Sequence, residues 1–315
     1  MSKLKAAVTA LGLGLAATSA SAWDDFGHMV VAAIAYEKLN GTPAVRAKVD
    51  ALIQLNPDYQ SWVVNVPVAR RGEVAFLMAA RWPDAIKRNS AYVNDGGGSG
   101  ETAVEPVASL NIGYADKARH KYWHYKDVGF STDGTAVEPA QVPNVATQIV
   151  RFRATLASPK AGPGLKSYDL SWLIHLVGDV HQPLHATSRF TADLPHGDVG
   201  GNKVALCTPL PCRDELHAFW DDAVGRDEGT APAIALAATI APAPAGLARL
   251  TNVTTWVNES VEAAKADVYV APIGAAGQGP YAIDDAYRAR AREVATQRIA
   301  LAGARLARLI GSALK

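Results

Sequence analysis

Two stretches of this chain repeat one spacing: His175-x3-Asp179 and His217-x3-Asp221. Residues four apart on a helix share a face about 6 Å apart, so each pair would present an imidazole and a carboxylate side by side. Those are donors that zinc takes at open, catalytic sites. His185 follows the first pair after five residues, and Pro183 disfavours continued helix at Gln182, which lets His185 swing back toward the same place. His28, Asp84 and His124 lie upstream. A lone histidine on an apolar helix face is commonly a satisfied core residue, and an i, i+4 pair can be a surface contact. Here five of the eight histidines fall at spaced positions together with three aspartates. Convergence on more than one metal ion uses them all. His120, His181 and His196 are left as non-ligands.

Trp23 adds an unusual donor. Residues 1–22 have a charged start (Lys3, Lys5), an apolar stretch and the small residues Ala20-Ser21-Ala22, the pattern of a secretory signal peptide. The apolar run is about 15 residues, short of the ~20 that a spanning helix needs. Cleavage after Ala22 would give Trp23 a free α-amine with an ordinary pKa of about 7.7–8.0, from which a metal can displace the proton. The expected mature chain is 23–315, secreted or periplasmic. In that compartment Cys207 and Cys212, the only cysteines, read as one disulfide closing a small loop. A zinc-binding pair is the alternative, weakened by two intervening prolines and the lack of a second pair. The formal net charge is +1, and loss of two lysines leaves it near zero. That excludes a protein holding polyanions by bulk positive charge, though not a nucleic-acid substrate for a metal site.

The elements that must position these residues are helices. Apolar residues recur at helical spacing over 27–39, 43–55, 72–81, 141–157, 168–182, 213–224, 232–240, 247–266 and 282–313. Pro83 suits the first turn of a helix, which would put Asp84 and Lys87 on one face. Alternating strand patterns are nearly absent; Lys203 to Cys207 could at most form a hairpin. Asn94 to Gly100 reads as a surface loop. The expected fold class is all-α. Because the candidate ligands run from residue 23 to residue 221 and must converge, a single helical domain over 23–315 is the simplest organisation.

Taken together, Trp23-x4-His28, His175-x3-Asp179-x5-His185 followed by Gly200-Gly201-Asn202, and His217-x3-Asp221 resemble the zinc-dependent single-strand nucleases of the S-one/P-one type. These share a superfamily with the bacterial zinc phospholipases C. The resemblance implies a compact multi-helix fold with three zinc ions in a cleft. Asp84, His124, His175 and Asp179 would hold the first, and His185, His217 and Asp221 the second. The third would take the Trp23 amine and carbonyl oxygen, His28 and the other oxygen of Asp179. It further implies that Asp84 orients the attacking water, Lys87 neutralises phosphate, Tyr125 stacks on a base, and Asp127 and Asn202 read the base edge. A base stack is worth about 1–3 kcal/mol. Without the resemblance, Lys87 reads as a solvated helix lysine, while Tyr125 and Asp127 read equally well as a core aromatic and a cap or as base contacts.

The implied activity is hydrolysis of single-stranded DNA and RNA to 5′-phosphorylated products, with 3′-nucleotidase activity and no stable protein partner. A zinc phospholipase C is the alternative, although that group typically carries Glu where this chain has Asp221 and lacks the Gly-Gly-Asn context. A structural zinc protein is a third reading, disfavoured because such sites are closed and often use cysteine. One departure stands out: the Asp84–His124 segment is longer than the family pattern and contains the glycine-rich loop.

Overall fold

The computed structural model describes residues 23–96, 103–207, 214–226, 229–275 and 277–315. The expected signal segment 1–22, residues 97–100 of the glycine-rich loop and Cys212 lie outside the described residues. Eleven α-helices form among the described residues: α1 (Asp25–Leu39), α2 (Pro43–Ile53), α3 (Tyr59–Val63), α4 (Arg71–Arg88), α5 (Val145–Ala157), α6 (Pro163–Asp179), α7 (Leu216–Asp221), α8 (Thr230–Thr239), α9 (Ala245–Ala248), α10 (Val253–Ala263) and α11 (Asp285–Ala313). The all-α expectation holds.

α6 is the axis. It starts with Pro163 in its first turn, and every residue from Ser167 to Asp179 is buried. A helix buried on all faces lies inside a fold, and α4 and α5 flank this one. α1 packs on α4, α8 and α11, with Phe26 to Ala33 all buried. A smaller core of Leu184, Val204, Leu206, Leu216, Trp220 and Tyr287 fills the space toward the start of α11.

The polar end of α6 is held from α10 and α11. Ser260 Oγ donates to Val180 O at 2.6 Å, and Arg298 Nε donates to His181 O at 3.0 Å. His181 Nδ1 donates to Val177 O at 2.7 Å, so its Nε2 accepts from Arg305 Nη1 at 2.9 Å. Arg305 also bridges to both carboxylate oxygens of Glu259, at 2.6 and 2.8 Å. Carbonyls left over at a helix end thus find donors.

Several boundaries differ from the sequence reading. The pattern over 72–81 and the turn expected to begin at Pro83 are one helix, α4, with Pro83 inside it. Proline has no N–H for the carbonyl four residues back and crowds the preceding turn. Trp82 and Ile86 are buried on that helix, and their packing holds it together. The pattern over 247–266 divides into α9 and α10, because Asn252 caps α10 by accepting from Thr255 N. Asn144 forms a capping box with Thr147, so α5 starts later than 141. The helix expected over 213–224 shrinks to α7, since Asp214 and Glu215 form β4 (Asp214–Glu215) with β3 (Ala205–Leu206). That antiparallel pair is the anticipated hairpin. A parallel pair, β1 (Val128–Ser131) with β2 (Thr187–Phe190), was not anticipated.

Candidate metal centre

Four elements deliver the ligands. α6 carries His175 and Asp179 one turn apart, α4 brings Asp84, α7 brings His217 and Asp221, and α1 brings His28. β1 and β2 place the remaining two. Their parallel pairing extends backward, with Val128 N donating to Ala186 O at 3.1 Å and Lys126 N to His185 O at 2.8 Å. His124 and His185, each just upstream of its strand, are therefore side by side.

The candidate ligands gather as three groups: His28, His175 and Asp179; Asp84, His124 and His175; and His185, His217 and Asp221. Within each group the ligating atoms lie within 4.8 Å of one another, and all are buried. Asp179 stands between the first two groups. Its Oδ1 is 3.2 Å from His28 Nε2, and its Oδ2 is 3.0 Å from His124 Nδ1 and 3.2 Å from His175 Nε2. His28 and His175 stack with centroids 3.8 Å apart. The fully buried Trp23 seals this side, donating from Nε1 to Gly178 O at 3.1 Å, while Asp24 N donates to Asp221 O at 3.2 Å. Gly178 makes the close approach possible, because a Cβ there would lie 2.8 Å from His28 Nδ1.

Whether these residues fit metal ions is tested by their hydrogen bonds. His185 Nδ1 donates to His124 O at 2.8 Å, and His217 Nδ1 donates to Gly200 O at 2.7 Å. Each neutral ring then carries its lone pair on Nε2. Those two Nε2 atoms stand 2.9 Å apart, with Asp221 Oδ2 3.5 Å from that of His217. Facing lone pairs repel; a cation drawing on both rings and Asp221 makes the arrangement favourable. His175 Nδ1 likewise donates to Ala80 O at 2.7 Å, which turns its Nε2 toward the centre. Carbonyl partners that fix the tautomer are the usual second layer of a metal-binding histidine. Gly200 has φ +58, and a Cβ there would meet Leu184 O at 2.3 Å, so glycine is required where His217 finds its acceptor.

Buried atoms without hydrogen bonds point the same way. Both ring nitrogens of His28, Nε2 of His124, Oδ1 of Asp179 and Oδ2 of Asp84 are buried and have no hydrogen-bond partner. Leaving such groups unsatisfied costs about 1–3 kcal/mol each. Nitrogen and oxygen donors without cysteine suit a catalytic zinc site. The electrostatics agree. Burial pushes His185 down to about 4; burial, then the neighbouring His185, pushes His217 down to about 3. Both are neutral donors at pH 7. Burial opposes the ionisation of Asp179, but the charge of His175 and the bonds from His124 and His175 hold its carboxyl well below the usual range. Burial raises Asp221, which lies near Asp222 and Asp24.

Lys87 is not a solvated lysine. It is 7 % exposed, and its Nζ lies 2.7 Å from Asp84 Oδ1, so both residues project from one face of α4 as expected. Tyr125 and Asp127 line a pocket of about 300 Å³ shared with Tyr122, Phe190 and Ser188. Tyr125 is half-buried and packs partly on the main core. Burial, then the charge of Asp198, pushes Asp127 up to about 7. Asn202 is not among the residues lining this pocket, and its amide donates to Val199 O at 2.6 Å. Gln182 was missed in the sequence. It is fully buried and donates to Asp221 Oδ1 at 2.7 Å. A single glutamine between two histidines carries no signal that would have singled it out.

The three histidines set aside in the sequence sit elsewhere. His181 is held by Arg305, His120 pairs with Asp116 and Asp95, and His196 is exposed beside Glu138. Among the described residues no cysteine is free.

A buried cluster of imidazoles and carboxylates inside a helical fold has the donor set of a metal centre. Residues 23–315 match the family model described as S1/P1 Nuclease, and the chain belongs to that family. It is therefore a zinc-dependent nuclease, a hydrolase acting on phosphodiester bonds of nucleic acid. The phospholipase and structural-zinc alternatives give way to that class. No curated protein matches the chain.

Proposed function

We propose that the exported and processed chain, residues 23–315, binds three zinc ions and cleaves single-stranded DNA and RNA to 5′-phosphorylated products. The same site would remove 3′-phosphates. The observation that carries this reading is the set of three buried His/Asp groups, in which donor atoms of His28, Asp84, His124 and Asp179 lack partners, together with a pocket lined by Tyr125, the residue after His124. Asp84, His124, His175 and Asp179 would hold one ion, and His185, His217 and Asp221 another. The third would take His28, Asp179 and the backbone of Trp23. The family match begins at Trp23, which supports cleavage after Ala22. Zinc, when bound, supplies Lewis acidity and an activated water at neutral pH.

The chain's own residues do the rest. Lys87, fixed beside Asp84, would neutralise charge developing on the phosphoryl group. Tyr125 would stack on one base, and Asp127, able to donate or accept near pH 7, would bond its edge. Asn202 would reach the base edge only by releasing Val199 O. Duplex bases are already stacked and cannot reach Tyr125, so single strands are preferred. A Cys207–Cys212 disulfide would brace the segment before α7.

The test is metal analysis of the purified chain starting at Trp23, with assays on single-stranded DNA, duplex DNA, a 3′-nucleotide and phosphatidylcholine. Three zinc ions per chain and preference for single strands are expected. One ion or none, or turnover of the lipid alone, would overturn the reading.

A further inference from the structure

The pocket beside the metal centre carries two lysines to which the catalytic reading gives no role. Lys126 follows Tyr125 directly, and its backbone is pinned by the bond from its N–H to His185 O. Lys203 follows the Gly200-Gly201-Asn202 turn, and its N–H donates to Asp198 O at 3.1 Å. Both line the same 300 Å³ pocket as Tyr125 and Asp127. Lys126 is half-buried and Lys203 exposed.

Two carboxylates share this pocket. Glu138 Oε1 is engaged by His196 Nδ1 at 2.9 Å. Asp127, pushed up to about 7 by burial and Asp198, loses its charge as pH falls below that value. Neither lysine forms an ion pair among the described residues. The chain as a whole is almost neutral, so two free ammonium groups at one pocket are a local feature and not a consequence of general basicity. In the proposed reading the phosphate over the metal groups falls to Lys87, which sits on α4 beside Asp84.

We infer that Lys126 and Lys203 grip a backbone phosphate adjoining the nucleotide stacked on Tyr125, so that the enzyme binds a strand more tightly than a lone nucleotide. This rests on the nuclease reading and assigns the site a ligand one phosphate longer than the base pocket needs. An ammonium group recognises a phosphodiester as a point charge, without reading the base, so the grip is indifferent to sequence.

The experiment measures binding, not turnover. Fluorescence anisotropy of a short phosphorothioate oligothymidylate with the zinc-loaded protein is followed from about 50 to about 200 mM salt. Each neutralised single-strand phosphate contributes about 0.7 to the slope of log K against log salt. Lys126→Gln and Lys203→Gln should each flatten that slope by part of this amount, and the double variant by about the whole of it. Affinity for thymidine 3′-phosphorothioate, a mononucleotide that resists hydrolysis, should be unchanged, and arginine at either position should restore the slope. Equal slopes for wild type and double variant would overturn the inference, as would equal weakening for the mononucleotide. A wild type binding strand and mononucleotide alike would overturn it too. Failure of the nuclease reading would appear differently, as a protein that grips the phosphorothioate but leaves ordinary single-stranded DNA intact.

Discussion

His175 and His181 lie at the same end of α6, both fully buried, and meet opposite surroundings. Around His181 the protein supplies every partner. Val177 O takes one ring proton, Arg305 donates to the other nitrogen, Glu259 balances the arginine, and Arg298 reaches Ser260. No buried side-chain nitrogen or oxygen of His181, Arg298, Arg305 or Ser260 lacks a partner. Around His175 the neighbours His28, His124, Asp84 and Asp179 keep buried atoms without hydrogen bonds. Burial and residue type are alike in the two regions. The difference is whether the protein itself completes the network, and a half-satisfied buried network marks a place made for something else.

The comparison breaks most visibly at Asp179. Its two oxygens serve His28 on one side and His124 with His175 on the other. Asp179→Asn keeps the volume but loses a charged, shared ligand. Turnover on single-stranded DNA should fall by more than the about 10–100-fold that losing an outer partner of a metal ligand costs. Zinc content, measured by elemental analysis, should drop as well. Full zinc with near-normal turnover would show that Asp179 bridges nothing.

Arg305→Met sharpens the contrast from the other side. It leaves His181 without its donor and Glu259, 23 % exposed, with Arg298 alone at 3.4 Å, so the cost should lie below the about 3–5 kcal/mol of breaking a fully buried pair. Thermal unfolding should shift accordingly, while zinc per folded chain and the Kd for zinc stay as in the wild type. Loss of zinc at unchanged stability would mean that the saturated network belongs to the metal site.

Gly178→Ala should have a smaller effect with a different signature. The new methyl group would lie 2.8 Å from His28 Nδ1 and 3.7 Å from Trp23 Cδ1. Overpacking of this kind costs about 1–3 kcal/mol. Because the ring displaced is a candidate ligand, one ion should bind more weakly than the others in a zinc titration. Uniform weakening of every ion would instead place His28 outside the ligand set.

The three candidate ligand groups were legible because histidine and aspartate are chemically specific and their i, i+4 spacing survives in any helix. α1, α6 and α11 were legible from long runs of apolar periodicity. The device that sets His124 beside His185 was not. β1 and β2 have four residues each; one is uniformly half-buried and the other uniformly buried, so neither shows the alternation that announces a strand. Pro83 misled for a related reason. A local rule starts a helix at proline, but the buried neighbours Trp82 and Ile86 hold α4 together through it. Asn202 was chosen by its place in a motif; it does not line the pocket, and its amide is held by Val199 O.

The smallest expected effect concerns a third buried histidine, His120, whose protein partners do include charge. Its Nε2 lies 2.8 Å from Asp116 Oδ2 and its Nδ1 3.0 Å from Asp95 Oδ2. Burial works against protonation, but the two carboxylates outweigh it and raise the ring above its ordinary value. Burial likewise works against ionisation of Asp95, and the bonds from His120 and Tyr122 outweigh it and lower that carboxyl. The signs then follow. A raised histidine contributes stability that is complete below its unfolded pKa, about 6.5, and lost as pH rises through the folded value. A lowered aspartate contributes above its unfolded pKa, about 3.9, and loses that contribution as pH falls through the folded value. The pair is therefore strongest between about pH 4 and about pH 6.5. His120→Asn suits the left-handed backbone at this position, φ 46, and removes the charge. The gap in unfolding free energy between wild type and variant should be larger at pH 6 than at pH 9, by about 1 kcal/mol, with zinc content equal in both proteins. A gap that does not change with pH would show that His120 is a neutral spacer, and that here too the protein had left its carboxylates waiting for another cation.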